Sequence, residues 1–211
     1  MRLSEKTIEL NFCAQAQARY HGAAFWFGLT QRQERNAGFD VASRLGGRLI
    51  LLQFKASNQV VRSGARRFRL GDQQLRALIN RAATGRTRSV FYVLPEIGDT
   101  ADLRAQRADI LRHSWLLDVA ALPPIPRPTR ADGGLRKHEI HYADLVPPSV
   151  TIHSEPIHTS VIRADRFFSE GASGSDGVDP AVLKTGRDRR LRGGSQGPRP
   201  FGRGAVGVVL F

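Results

Sequence analysis

A single cysteine, Cys13, stands in 211 residues, so the chain cannot close an intramolecular disulfide. Folds that depend on disulfide staples are excluded, and the expected setting is a reducing cytoplasm. No apolar run approaches the ~20 residues that a membrane-spanning helix needs. The opening Met1-Arg2-Leu3-Ser4-Glu5-Lys6 also lacks the apolar stretch of a secretory signal. A membrane partner is therefore not expected. Lysine is scarce as well: of 32 basic residues only Lys6, Lys55, Lys137 and Lys184 are lysines, and the rest are arginines. Where one basic type is this rare, a lysine at a chemically meaningful position is less readily filler.

What is present is positive charge and enough apolar matter for a core. The hydrophobic fraction is 41% and the net charge is +13. A chain of this length supports one domain and a tail. The charge suits a polyanionic partner, nucleic acid before others, although a genome that favours arginine codons would produce a similar excess.

Local signals divide the chain. Residues 4 to about 27 read as a helix, with Ser4 at its N-cap, Glu5 in the first turn, and Ile8, Phe12, Cys13 and Ala16 at helical spacing. Thr30-Gln31-Arg32-Gln33 has the form of a capping box and predicts a short helical turn ending at Asn36-Ala37-Gly38. Two strand-like runs follow, 39–45 and 48–55, separated by Gly46-Gly47 as a two-residue hairpin turn. Residues 66–70 are expected to extend the same sheet. Asp72 opens a helix through about Ala83, with Leu75, Leu78, Ile79 and Ala82 on one face. A buried strand is expected over 89–94, a helix over 100–114 and a strand over 115–119. Residues 123–134 are expected to form a Pro- and Gly-rich loop, and 139–145 with 149–154 a second hairpin. From about 169 onward apolar periodicity vanishes, so residues 169–211 read as a disordered tail behind a domain of residues 1–168.

The first hairpin carries the chemistry. With Gly46-Gly47 as the turn, Leu45 faces Arg48, Val41 faces Leu52 and Asp40 faces Gln53. Opposed residues share a face, and Lys55 lies two residues further along the same side. Ile50, Leu52 and Phe54 then point the other way, into a core. A slip of one residue would drive Gln53 and Lys55 to the apolar side, so the pattern pins the register. A carboxylate, an amide and a lysine suit phosphodiester hydrolysis. Mg²⁺ or Mn²⁺ takes oxygen ligands, which Asp40, the Gln53 side chain and the Phe54 backbone carbonyl offer. Lys55 would orient water or offset transition-state charge.

Gly38-Phe39-Asp40, followed after twelve residues by Gln53-Phe54-Lys55, resembles the PD-(D/E)xK nuclease superfamily. The resemblance covers residues 4 to about 120. It implies an α/β fold of the restriction-endonuclease-like kind: a mixed central β-sheet flanked by helices, here with the C-terminal hairpin and tail added. It also implies Mg²⁺- or Mn²⁺-dependent cleavage of DNA, with Asp40, Gln53 and Lys55 as the motif residues. Gln53 departs from the usual Glu or Asp, a variant found among transposon end-cleaving nucleases. A glutamate from a preceding helix often completes the metal site in this family. Glu34, close before the catalytic strand, and Glu9, on the first helix, are the candidates, and Glu5 shares the face of Glu9. By analogy with where such nucleases occur, the expected roles are restriction, phage defence or mobile-element processing. No DNA-reading module is recognisable in the sequence, so a partner protein or a homodimer is expected to supply specificity.

Other groups read blandly. His138, His141, His153 and His158 lie near the second hairpin with no cysteine nearby, so surface or strand histidines are expected rather than zinc ligands. Cys13, in an apolar helix, reads as an inert thiol. The basic run 184–192 would either track phosphates or keep the tail in solution. The alternative to a nuclease is a non-catalytic nucleic-acid-binding protein in which Gln53 marks a decayed site.

Overall fold

The computed structural model describes residues 1–20, 24–45, 48–57, 59–60, 62, 66–84, 88–122, 138–142, 149–152 and 157–170. The expected Gly46-Gly47 turn residues, the 123–134 loop, the basic run 184–192, and residues 171–211 of the expected tail lie outside them.

The fold is mixed α/β. Helix α1 (Glu5–Arg19) starts where Ser4 accepts a hydrogen bond from the Thr7 N–H, and stops at Tyr20, whose backbone is extended. The expected continuation to 27 fails. Phe25–Gly28 is instead strand β1, paired antiparallel to β2 (Val41–Leu45). Three consecutive aromatics suit a pleated strand better than a helix. Helix α2 (Gln31–Ala37) carries the expected Thr30/Gln33 capping box, and ends at Gly38, whose φ of +80° only glycine adopts without strain. Strand β3 (Arg48–Phe54) pairs with β2 in the expected register, Leu45 facing Arg48 and Val41 facing Leu52.

Residues 66–70 do form a strand but leave the sheet they were expected to join. With β4 (Gln59–Val60) before it, β5 (Arg66–Leu70) enters a second sheet. The physical reason is valence: β3 already bonds β2 on one side and β6 (Arg88–Pro95), in parallel, on the other. Helix α3 (Asp72–Thr84) makes the crossover between β3 and β6, and buries Leu75 and Leu78 as its spacing predicted. Helix α4 (Thr100–Ala105) is shorter than expected. Arg107 and Ala108 turn to positive φ, and Gln15 of α1 bonds the Ala108 carbonyl and the Leu111 N–H. That turn drops Ile110 and Leu111 into the core before β7 (Ser114–Asp118) begins.

After the 3₁₀ turn Val119–Ala121 come β8 (His138–Tyr142) and β9 (Ser149–Ile152), which pair antiparallel as the second hairpin. Then follow β10 (Ile157–Ser160), β11 (Ile162–Arg163) and α5 (Ala164–Glu170), a helix the sequence reading missed. Its last residues lie past the boundary expected at 168. The six-stranded sheet runs β1-β2-β3-β6-β7-β11, and the second sheet runs β10-β9-β8-β5-β4.

Both faces of the six-stranded sheet are covered. On one, Ile50, Leu52 and Phe54 meet Ile8 and Phe12 of α1 and Phe167 and Phe168 of α5. On the other, Leu51 and Tyr92 meet Leu75 and Leu78 of α3 together with Phe68, Leu70 and Ile140 of the second sheet. The face that carries Gln53 is therefore a second core, while Lys55, expected on the same side, lies past the end of β3 with its ammonium 3.8 Å from Glu5 of α1, the helix that covers the other face. No helix among the described residues is long and apolar enough to cross a membrane.

Candidate active site

Asp40 is fixed through its backbone on both sides. Its N–H donates to the Leu52 carbonyl at 3.0 Å and its carbonyl accepts from the Leu29 N–H at 3.2 Å. The hairpin register ends at Val41 opposite Leu52, and Asp40 stands in the bend just before it, sharing Leu52 with Val41; from there its side chain reaches Gln53. Asp40 Oδ2 accepts two hydrogen bonds, from Gln53 Nε2 and from the Phe54 N–H, each at 2.7 Å. Gln53 Nε2 also donates to the Phe54 carbonyl at 3.1 Å. Lys55 follows, its backbone N–H bonded to the Val93 carbonyl of the parallel neighbour β6.

Burial sets the electrostatics. Gln53 is 1% exposed and Lys55 9%. Burial pushes the Asp40 carboxyl up to about 6, against the lowering effect of the Phe54 N–H, the Lys55 charge and the Gln53 amide. Asp40 Oδ1 accepts nothing from the described residues. Gln53 Oε1 is also buried without a hydrogen-bond partner, and so is the hydroxyl of Tyr92. Tyr92 stands beside Gln53 in the parallel β3–β6 register. Burial, and then the charge of Asp40, raise its phenol well above the usual range. Leaving a buried polar atom unpaired costs roughly 1–3 kcal/mol, so these atoms need a reason to be there.

Among the expected residues, Asp40, Gln53, the Phe54 carbonyl and Lys55 are brought together. Of the three glutamates, Glu5 makes direct contacts at the end of the motif. Its Oε1 lies 3.8 Å from Lys55 Nζ and accepts the Ala56 N–H at 3.3 Å. Glu9 is buried and pairs with Lys6 at 2.6 Å. The Glu34 side chain makes no hydrogen bond or ion pair with the described residues, although its charge, after those of Glu9 and ahead of Asp40, helps raise the Lys6 ammonium. Two further groups escaped the sequence reading. Lys6 sits in the field of three carboxylates, and only the rarity of lysine pointed to it. Tyr92 was hidden inside an apolar strand.

Among the described residues no group of three or more His, Cys, Asp or Glu side chains is placed to hold a metal ion. The available donors are one carboxylate and neutral oxygens. The Gln53 amide nitrogen lies within hydrogen-bond reach of both Asp40 Oδ2 and the Phe54 carbonyl, so it stands where those two oxygens would share a cation. Its own oxygen is stranded. Exchanging the two ends of that amide would turn Oε1 toward the same oxygens. The residues thus fit a weakly held divalent ion whose remaining ligands are water and phosphate oxygens.

No family model, no curated protein and no solved structure matches this chain. What the chain does is read from the chemistry of its own residues.

A polar cluster around Asp72 is structural. His138, expected on a strand or at the surface, lies on β8 but is fully buried, with Nε2 2.8 Å from Asp72 Oδ1. Arg76 Nε donates to both Asp72 oxygens. Burial would raise the Asp72 carboxyl, but the hydrogen bonds from Arg76 and His138 outweigh it and hold the group below its usual value. The cluster ties α3 to the second sheet. His141 and His158 lie on β8 and β10, and His153 is outside the described residues. Burial pushes the Cys13 thiol up to about 12, in keeping with an inert group.

Proposed function

We propose that this chain is a metal-dependent nuclease that hydrolyses DNA phosphodiester bonds, with a restriction-endonuclease-like core. The observation that carries the reading is the convergence of Asp40, Gln53, the Phe54 carbonyl and Lys55 at the end of one hairpin, with Gln53 Oε1 buried and lacking a donor. The preceding helix α1, the β2–β3 hairpin and the parallel strand β6 supply the mixed sheet flanked by helices that the motif implies.

Mg²⁺ or Mn²⁺, when bound, supplies Lewis acidity and lowers the pKa of its water. The residues of the chain do the rest. Ionised Asp40 and the neutral oxygens of Phe54 and, with its amide turned over, Gln53 would hold the ion. Lys55, kept in place by its stem packing and by Glu5, offsets the negative charge that builds on the phosphate. Lys6 adds a second cation near the mouth of the site.

The competing reading, a non-catalytic nucleic-acid-binding protein, is favoured by the seat of the Gln53 amide nitrogen on Asp40. The deciding experiment is cleavage of supercoiled plasmid with Mg²⁺ or Mn²⁺, with and without EDTA, for wild type and Asp40→Ala. Cleavage that needs the ion and Asp40 supports the nuclease. Tight DNA binding without cleavage under either ion would move the assignment to the binding protein.

A further inference from the structure

Strand β1 is the outer strand of the six-stranded sheet, and it presents two aromatic rings to solvent. Phe25 is 64% exposed and Phe27 46%, with ring centroids 4.4 Å apart at 61°. Trp26 between them turns to the opposite face and packs against Phe168. The pair is therefore a surface feature, not a spill-over from the core.

Its position is set by register. Phe27 lies opposite Ala42 and Phe25 opposite Arg44, which is itself exposed. Opposed residues share a face. Ala42, and Leu49 opposite Arg44, pack into the core on the face that carries Gln53, so Phe27 and Phe25 lie on that side of the sheet. Phe27 and then Phe25 thus lead outward from the candidate active site along one face, each flanked by the next strand. The two rings meet edge to face, so together they offer one exposed aromatic patch and not two parallel stacking sites. In a duplex the base faces are covered by their stacked neighbours, whereas an unpaired base can turn a face onto an exposed ring. Arg44 supplies a cation beside the rings, and the chain as a whole carries +13. That charge favours a polyanion over a second copy of the chain, which would bring like charges together.

We propose that Phe25, Phe27 and Arg44 form a stacking platform for unpaired bases, so that the site takes single-stranded or frayed nucleic acid with its backbone running from Arg44 toward Asp40 and Lys55. The direction of that path rests on the nuclease reading, while the platform itself can be tested without it.

The test is fluorescence anisotropy in EDTA, with a labelled oligodeoxythymidylate and a mixed-sequence duplex of equal length. Wild type should bind the single strand more tightly. Phe25→Ala/Phe27→Ala should weaken single-strand binding about tenfold or more, leave duplex binding unchanged and leave the melting temperature close to wild type. Phe25→Leu/Phe27→Leu keeps the apolar bulk without an aromatic face and should show the same loss. Arg44→Ala should reduce the salt slope by about one. Equal affinity for the two DNAs, or wild-type binding by both double variants, would overturn the platform. So would a concentration-dependent dimer that the alanine variant abolishes while DNA binding stays intact, since β1 would then be a contact between copies. Because the ion is absent, loss of binding without any plasmid cleavage would sink the nuclease and keep the platform, and the reverse pattern would do the opposite.

Discussion

Gln53 Nε2 sits 2.7 Å from Asp40 Oδ2, a hydrogen bond made at the open end of the β2–β3 hairpin, just past its last register pair, Val41 opposite Leu52. It neutralises part of the Asp40 charge with an N–H dipole, and it leaves the amide oxygen without a donor. Replacing the amide tests both halves of this arrangement. Gln53→Glu should destabilise the metal-free protein by on the order of 2 kcal/mol, because Asp40 loses a donor and gains an acid beside it. Mn²⁺ should more than restore the melting temperature. Gln53→Leu should lose the metal response and plasmid cleavage together. Thermal melts of the three proteins with and without Mn²⁺ decide this, and an identical metal response in all three would remove Gln53 from any metal site.

Asp40 gives a pH signature. A carboxyl whose folded value lies above its unfolded one stabilises the fold below the unfolded value, and loses that contribution as pH rises through the folded value. Asp40 stands at about 6 because burial penalises its charge. Wild type should therefore weaken between about pH 4, the ordinary aspartate value, and about pH 6. Asp40→Asn keeps an acceptor for Gln53 and Phe54 without the charge, so its melting temperature should exceed that of wild type at pH 7 and converge with it below about pH 4. Parallel curves for the two proteins across this range would show that the carboxylate is not strained by burial.

The same carboxylate predicts competition between protons and cations. Below about pH 6 the apparent Mn²⁺ affinity should fall about tenfold per pH unit, and above that it should level off, since the ion needs the deprotonated ligand. Isothermal titration from pH 5 to 8 reads this directly. A pH-independent affinity would place the ion elsewhere.

Lys55 is more buried than an exposed strand face would make it: its side chain is 11% exposed. Lys55→Ala should accordingly cost roughly 1–2 kcal/mol through lost stem packing, which confuses any activity measurement. Lys55→Met keeps the stem and removes the charge. It should melt near wild type and cleave plasmid at least a hundredfold more slowly. Wild-type cleavage by the methionine variant would refute a role for the ammonium.

Tyr92 carries a hydroxyl that is buried and unpartnered next to Gln53. Tyr92→Phe removes a polar atom that makes no hydrogen bond, so stability should change by less than about 1 kcal/mol or rise. A loss well beyond that, measured by chemical denaturation, would show that the hydroxyl has a partner in solution.

The sequence by itself determined the hairpin and its register. A two-residue glycine turn between alternating runs admits one pairing, and that pairing alone sends Ile50, Leu52 and Phe54 to one side and Leu51 and Gln53 to the other, whereas the side taken by Lys55, beyond the strand end, was not legible. It also determined the local stops and starts at Ser4, Thr30 and Gly38, where a cap satisfies its own neighbours. The tertiary structure decided which side chains meet across distance. Residues 66–70 could be read as a strand, but the second sheet received them because both edges of β3 were taken by β2 and β6. Helix α4 ended early because Gln15, far away in sequence, bonds the turn that follows it. Glu5 rather than Glu9 or Glu34 reached Lys55 because the packing of α1 on Phe54 carries its first turn to the end of β3, and helical spacing alone does not say which turn lies at a strand end. Periodicity and capping are properties of neighbours in the chain, whereas free sheet edges and the reach of a carboxylate are properties of the packed whole.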